Sequence, residues 1–194
     1  MSFFNEAYRG VPPWDIGRPQ GEFVKLSDEG KVKGDVIDVG CGTGENAMLF
    51  ASKGHKVLGV DSSPLAIEKA KSKAKQRKSP AEFFVANALD LASVGRKFDA
   101  AIDCGLFHVF SDRERVSFAK SLWGVLNPGG AYFMLCFSDR EPSDWGGPRR
   151  VTKEEIRKTF SSDWRVDWIR PARFESQYHD EGGHAWLSSI TRLR

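Results

Sequence analysis

The sequence predicts an α/β fold in which a parallel sheet is covered on both faces by helices. Three observations carry that expectation. Apolar, β-branched runs alternate with helical stretches five times between residues 35 and 137, and such alternation builds parallel βαβ units. The first run, Asp35-Val36-Ile37-Asp38-Val39, passes directly into glycines at 40, 42 and 44 and then into a helical stretch from Glu45 to Ala51. The second run ends on an acid, Asp61, 21 positions after Gly40. A strand, a glycine turn and a helix in that order present backbone N–H groups and a positive dipole end to a ligand, at a distance that a Cβ would forbid. An acid about 20 residues further on can accept from both hydroxyls of a ribose. A nucleotide-type site is expected at residues 38–44.

The elements follow in order. Residues 1–30 hold Phe3, Phe4, Tyr8 and Trp14 around a proline- and glycine-rich stretch that excludes regular structure. Two readings of this segment stay open: an arm packed on the domain, or a lid over the ligand with Trp14 touching it. Gly54 suits the C′ position of the first core helix. Lys56 to Asp61 is the second strand, and Ser62-Ser63-Pro64 opens the next helix. Asp61 therefore has a second possible role, as a helix N-cap. That helix buries Ile67, Ala70 and Ala74 and is expected to present Lys69, Lys71, Lys73, Lys75, Arg77 and Lys78 to solvent rather than to nucleic acid.

Ala81–Ala86 and Phe98–Asp103 are the third and fourth strands. Ser111-Asp112-Arg113-Glu114 is a capping box, and its helix is expected to bury Val116, Ala119, Leu122, Trp123 and Leu126. Asn127 to Gly130 ends it, and residues 131–137 form the fifth strand. A polar loop covers 138–150, a second capping box starts at Thr152, and two late strands are expected at about 164–170 and 184–192.

Composition narrows the function classes. The 194 residues suit a single domain spanning 1–194, with 40% hydrophobic and 28% charged residues as in ordinary globular proteins. A net charge of +3 argues against a dedicated nucleic-acid surface. No secretory leader or uncharged apolar run of about 20 residues is seen, so no membrane partner is expected. Cys41, Cys104 and Cys136 lack metal-ligand spacing, which points to reduced thiols, a cytoplasmic location and no metal. A monomer or weak homodimer is expected. A dinucleotide site is disfavoured because the G-x-G-x-x-G pattern read from Gly40 meets Glu45 where its third glycine should stand.

Asp38-Val39-Gly40-Cys41-Gly42-Thr43-Gly44 resembles motif I of the class I S-adenosylmethionine (SAM) methyltransferases. Asp61, Asn87-Ala88 and Leu126-Asn127-Pro128-Gly129-Gly130 extend that resemblance over residues 33–137. Pro13-Trp14-Asp15-Ile16-Gly17-Arg18-Pro19 resembles the entry segment of the thiopurine, halide/thiol and small-heterocycle methyltransferase group. The resemblance implies a three-layer, Rossmann-like sheet of seven strands in the order 3-2-1-4-5-7-6 with strand 7 antiparallel. It divides the chain into an arm or lid at 1–30, a SAM-binding core at 33–137, and a substrate-side loop with the last strands at 138–194.

By the same resemblance, Asp38, Gly40, Cys41, Gly42 and Gly44 line the methionine and ribose side of SAM. Asp61 and Ser62 hold the ribose, and Asn87 and Ala88 flank adenine. Asp103 and Cys104 face the methionine amino group and the sulfonium, and Trp14 closes over the cofactor. The expected reaction moves a methyl group to a small acceptor: an aromatic heterocycle, a phenol or quinol, a thiol or a halide. Tyr8, Phe107, His108, Arg140, Trp145 and Arg149 are the candidates for contact with it. His108, just past the fourth strand, has the ordinary pKa of a general base, about 6.5, and can equally be a pocket wall. A non-catalytic SAM-binding protein on the same fold, or less readily a nicotinamide-dependent oxidoreductase, are the alternatives.

Overall fold

Seven strands form one sheet in the order β3-β2-β1-β4-β5-β7-β6 in the computed structural model, which describes residues 3–142 and 147–194. They are β1 (Val36–Val39), β2 (Val57–Asp61), β3 (Glu82–Val85), β4 (Phe98–Cys104), β5 (Leu126–Phe137), β6 (Trp164–Ser176) and β7 (His179–Arg192). The first five run parallel, and β7 is antiparallel to both β5 and β6, as the resemblance implies. The helices are α1 (Phe3–Ala7), α2 (Gly21–Asp28), α3 (Glu45–Ser52), α4 (Pro64–Gln76), α5 (Asp112–Val125) and α6 (Lys153–Thr159).

Alternation along the strands sorts side chains into two cores. Ile37, Leu58, Ala101, Tyr132, Met134 and Trp186 face α5 and α6. Val36, Val57, Ala100, Phe133, Leu135 and Leu187 face α2, α3 and α4. The central strands β1, β2 and β4 are short and covered on both sides, so they read as nearly continuous apolar runs, whereas the edge strands β3 and β6 keep exposed residues. None of the described helices is long and apolar enough to cross a membrane.

Both capping boxes are present: Ser111 and Thr152 accept from the N–H groups of Glu114 and Glu155, whose carboxylates return the bond. The late strands are longer than expected because they form one hairpin paired almost to its tip. The buried face of α5 is Arg115, Phe118, Ala119, Leu122 and Val125, whereas Val116 is 65% exposed and Trp123 lies at the surface. Counting apolar residues alone misplaces that face. Arg115 belongs to it, because its guanidinium lies 4.6 Å above the Phe107 ring and pairs with Glu155 at 3.2 Å. Of the basic residues on α4, Lys73 and Arg77 are not a free solvated face. Both bond the Glu45 carboxylate at the start of α3.

Candidate active site

The strand order reverses between β1 and β4, and in open α/β sheets that reversal leaves a crevice at the C-terminal ends of the strands. Two loops meet there: Gly40–Gly44 after β1 and Gly105–Phe110 after β4. Leu106 of the second packs against Gly40 of the first.

The β1 side is built of carboxylates. Asp38 is 1% exposed. The N–H of Ala47 in α3 bonds its carboxylate, while Oδ2 has no hydrogen-bond partner. Burial, with the Asp103 charge nearby, pushes its pKa up to about 8. Asp61 accepts from Gly42 N–H at 3.0 Å and from Ser63 N–H at 2.8 Å, so it shapes the glycine loop as well as closing β2. Its pKa is raised by burial, against the pull of those N–H groups. The helix cap is the neighbouring Ser63, which accepts from Ala66 N–H. Ser62 is exposed beside Asp61.

Gly42 has φ +54°, and a Cβ there would stand 2.7 Å from the Tyr8 hydroxyl. Gly44, at φ +85°, is held by the Phe83 ring, so the third glycine serves packing and the turn into α3. Glu45 at the helix entrance is held below its usual range by Arg77 and Lys73, against burial, which by itself raises it most. A carboxylate fixed there keeps a pyrophosphate off the helix N-terminus.

The entry segment is part of this end. Trp14 Nε1 donates to the Tyr8 hydroxyl at 2.9 Å, and Thr43 Oγ1 donates to Asp15 at 2.9 Å. Asn5 Oδ1 accepts from Ser63 Oγ and from Leu65 N–H. Tyr8, expected among the acceptor contacts, is buried against the Gly40–Gly44 loop, and burial raises its pKa above the ordinary tyrosine value. Asn87 is exposed and caps the following 3-10 turn, Ala88–Val94, by accepting from Leu89 N–H at 3.0 Å. Cys41 packs near Gly59, and the Cys104 thiol hydrogen-bonds Asn46.

The β4–β5 side is built of rings. His108 is 3% exposed, stacks on Phe137 at 5.1 Å with 8° between planes, and lies 5.7 Å from Phe174. Phe137 N–H donates to His108 Nδ1 at 3.1 Å, which places the ring proton on Nε2. Burial, followed by the Arg115 and Arg150 charges, pushes its pKa down to about 3. A ring that already spends its lone pair inside the protein is not arranged as a proton acceptor, which corrects the general-base expectation for His108.

Other expectations also change. The Asp103 carboxylate is turned inward, accepting from Leu106 N–H, Phe107 N–H and the Tyr132 hydroxyl, and burial raises its pKa to about 7. It organises the β4 loop, with three of its acceptor positions already used inside the protein. Phe107 is fully buried in the α5 and α6 core, 5.8 Å from Phe160. The Arg149 guanidinium is committed to Asp112 and Glu155, and Arg140 stacks over Trp186 at 4.8 Å. Trp145 lies outside the described residues. Among the described residues no group of three or more acids, histidines and cysteines is arranged to hold a metal.

A family model described as a methyltransferase domain matches residues 36–130. The 2-heptyl-1-hydroxyquinolin-4(1H)-one methyltransferase of Mycobacteroides abscessus is 38% identical over 183 residues, which cover 89% of this chain and 81% of that protein. The chain belongs to the class I SAM-dependent methyltransferases. A probable thiol methyltransferase of Arabidopsis thaliana is 30% identical, covering 78% of this chain and 67% of its own. A solved structure from work on the conversion of a disulfide bond into a thioacetal group during echinomycin biosynthesis superposes with a TM-score of 0.89 at 34% identity, covering 98% of this chain and 91% of that chain.

The residues present fit SAM. Asp38 Oδ2 is a buried acceptor without a donor, and SAM carries an ammonium on its methionine end.

Two signals escaped the sequence reading. Gln20 and Glu175 exchange hydrogen bonds between the Gln20 amide and the Glu175 backbone at 2.8 and 2.9 Å. Phe174 closes over the β4 loop. Nothing local marks either, because the partners lie more than 60 residues apart.

Proposed function

We propose that this methyltransferase alkylates an oxygen or sulfur anion on a small, ring-bearing acceptor, with a hydroxylated N-heterocycle as the first candidate. The observation that carries this reading is the cluster of His108, Phe137 and Phe174 at the C-terminal ends of β4 and β5, beside the Gly105 turn. Flat aromatic walls beside a cofactor crevice suit a flat aromatic guest. The mycobacterial relative's hydroxyquinolone acceptor supports the same chemistry.

SAM supplies a methyl group already activated by its positive sulfur. The protein's own contributions are binding, alignment and exclusion of water, for which effective molarities supply about 7–11 kcal/mol. In this reading Asp38 accepts from the methionine ammonium, and Gly40 to Gly44 follow the methionine and ribose. Asp61 and Ser62 hold the ribose hydroxyls, and Asn87 and Ala88 border adenine. Cys104 and the backbone of Asp103 lie along the methionine side. Tyr8 and Trp14 cover the loop from the arm.

His108 remains neutral and donates from Nε2, so the acceptor must arrive deprotonated. An acidic N-hydroxyl or a thiol does so near neutral pH, whereas an unactivated alcohol does not. The resemblance to a thiol methyltransferase favours sulfur as the second acceptor atom for the same reason. The test is transfer of a labelled methyl group from SAM to a panel of hydroxyquinolones, phenols, thiols and alcohols. Turnover of hydroxyquinolones or thiols above alcohols is expected. Labelling confined to alcohols, nucleic acid or protein overturns the reading.

A further inference from the structure

Residues 174 and 175 sit side by side on β6 and point to opposite tasks. The Phe174 ring is 3% exposed, 4.7 Å from Phe137 and 5.7 Å from His108. It lies so close to the β4 loop that a Cβ on Gly105, itself at φ +80°, would stand 2.8 Å from the ring. His108 Nε2 reaches the same point from the other side, at 3.4 Å. Phe174 is therefore a third wall of the ring cluster, contributed by a strand from the far edge of the sheet.

Glu175 faces the entry arm. Its carboxylate accepts from Arg18 at 2.8 and 3.1 Å and from Gly21 N–H at 2.7 Å. Its backbone N–H and carbonyl are both bonded to the Gln20 amide, and Gln20 is 4% exposed. Two residues on, Gln177 N–H donates to the Pro13 carbonyl and the Gln177 side chain to that of Asp15. The same arm holds the cofactor loop through Tyr8 and Asp15, and the start of α4 through Asn5. A cleft of about 570 Å³, lined by Val11, Ile16, Arg18, Glu175 and Gln177 among others, opens along this seam. The Arg18 pair is half exposed and weak by itself. The backbone bonds and the buried amide are what fix the strand.

We propose that Phe174 is a specificity-determining wall of the acceptor site and that Gln20, bonded to the Glu175 backbone beside it, is its positioning residue, locking it to the arm that covers the cofactor loop. The proposal rests on the methyltransferase reading of this crevice. Ordering of the arm by the cofactor is thereby transmitted to the acceptor wall across one strand.

Hydrogen exchange with S-adenosylhomocysteine as the probe tests the link without any acceptor. In the wild type, the probe is expected to slow exchange at least about fivefold in both the arm, residues 8–20, and the hairpin, residues 173–185. Gln20→Ala, which removes both bonds to the Glu175 backbone, should keep the slowing at residues 38–44 and lose it in the hairpin, and Glu175→Ala, which removes only the carboxylate's bonds to Arg18 and Gly21 N–H, should reduce it by a smaller factor. Glu175 is the bulged residue of β6 and neither substitution removes a β6–β7 ladder pair, and retained slowing at residues 38–44 in each variant reports that the fold is kept. Hairpin slowing that survives in Gln20→Ala, or that is absent from the wild type, overturns the link. Calorimetry showing no binding of the probe fails the methyltransferase reading instead.

Phe174→Ala tests the wall. The kcat/KM ratio for the largest over the smallest acceptor that the wild type methylates should rise at least about tenfold, with probe affinity held within twofold. An unmoved ratio, or a shift in probe affinity in its place, overturns the assignment. If the wild type methylates none of the acceptor panel, the assignment falls with the acceptor reading, and the exchange experiment still decides the latch.

Discussion

At the β1–β2 end of the crevice the buried groups are carboxylates, one with an oxygen left unpartnered, and at the β4–β5 end they are rings around a single carboxylate, Asp103, that bonds inward. Asp38 and Asp61 sit where desolvation disfavours their charge, and Asp38 carries an oxygen with no partner. His108, Phe137 and Phe174 satisfy one another, and the single polar ring among them is held neutral. A cofactor that brings an ammonium, a carboxylate, a sulfonium and a ribose needs polar groups waiting for it. An acceptor that must reach a sulfonium methyl as a desolvated anion needs shape and dryness. The difference teaches that cofactor affinity should be sensitive to charge and acceptor turnover to volume.

The largest expected effect is at Asp38. Asp38→Asn preserves the shape and removes the charge that an ammonium would meet, and charge-assisted hydrogen bonds contribute about 1.5–3 kcal/mol. SAM affinity measured by calorimetry should fall about 10- to 100-fold. In the wild type, affinity should strengthen up to about tenfold per pH unit as pH rises toward the Asp38 pKa of about 8, because only the ionised form pairs with an ammonium. Asp38→Asn should flatten that slope.

Stability of the protein without SAM should run the other way. The folded-state pKa values of Asp38 and Asp103, about 8 and about 7, lie above the ordinary carboxylate value, so the native state binds the extra protons. Their contribution is present at low pH and is lost as pH rises from about 4 through 8. Denaturant titrations at pH 5.5 and 8 should show it.

A smaller loss is expected at Asp61, because that carboxylate already has partners. Asp61→Asn should weaken SAM about tenfold and also loosen the glycine loop, since Gly42 N–H loses its anionic acceptor. Slower quenching of Trp14 fluorescence on SAM addition would separate the loop effect from the ribose effect. Equal SAM affinity in Asp61→Asn and the wild type would place the ribose elsewhere.

How much of this contrast the sequence carries differs between the two ends. Asp38, the glycines and Asp61 lie within 24 residues, and their strand–turn–helix setting is local, so motif and spacing suffice to place them. The central parallel strands β1, β2 and β4 are equally legible because burial on both faces leaves nearly uninterrupted apolar runs. The ring end is assembled over distance. Phe137 N–H reaches His108 across 29 residues, and Tyr132 claims Asp103 across the same separation, so a histidine and an acid that read as functional become internal partners. Phe107 resembles a pocket wall until α5 and α6 close over it. Lys73 and Arg77 resemble a solvated face until Glu45 is found beneath them.

Glu45→Gln offers a control at the cofactor end that should barely touch the cofactor. Its carboxylate neutralises Lys73 and Arg77 and faces α4, away from the unpartnered oxygen of Asp38. Arg77 is half exposed, so screening limits what the pair contributes. A stability loss of about 1 kcal/mol by chemical denaturation is expected, with SAM affinity within threefold of the wild type.

The smallest expected effect on rate is at His108, provided the substitution respects its hydrogen bond. Asparagine can place its carbonyl oxygen near the position of Nδ1 and go on accepting from Phe137 N–H, while losing Nε2 and the outer edge of the ring. A general base contributes about 10²- to 10⁴-fold, so its loss could not be hidden. A neutral wall contributes packing, and His108→Asn should slow transfer to a thiol or hydroxyquinolone by only a few fold. The wild-type pH–rate profile should likewise show no ionisation near 6.5 from this ring, whose pKa burial and two arginines hold at about 3. The profile should follow the acceptor's own pKa and move when the acceptor is changed. A hundredfold loss in His108→Asn, with an inflection near 6.5 that disappears in the variant, would restore the base and erase the division between a charged cofactor end and a neutral acceptor end.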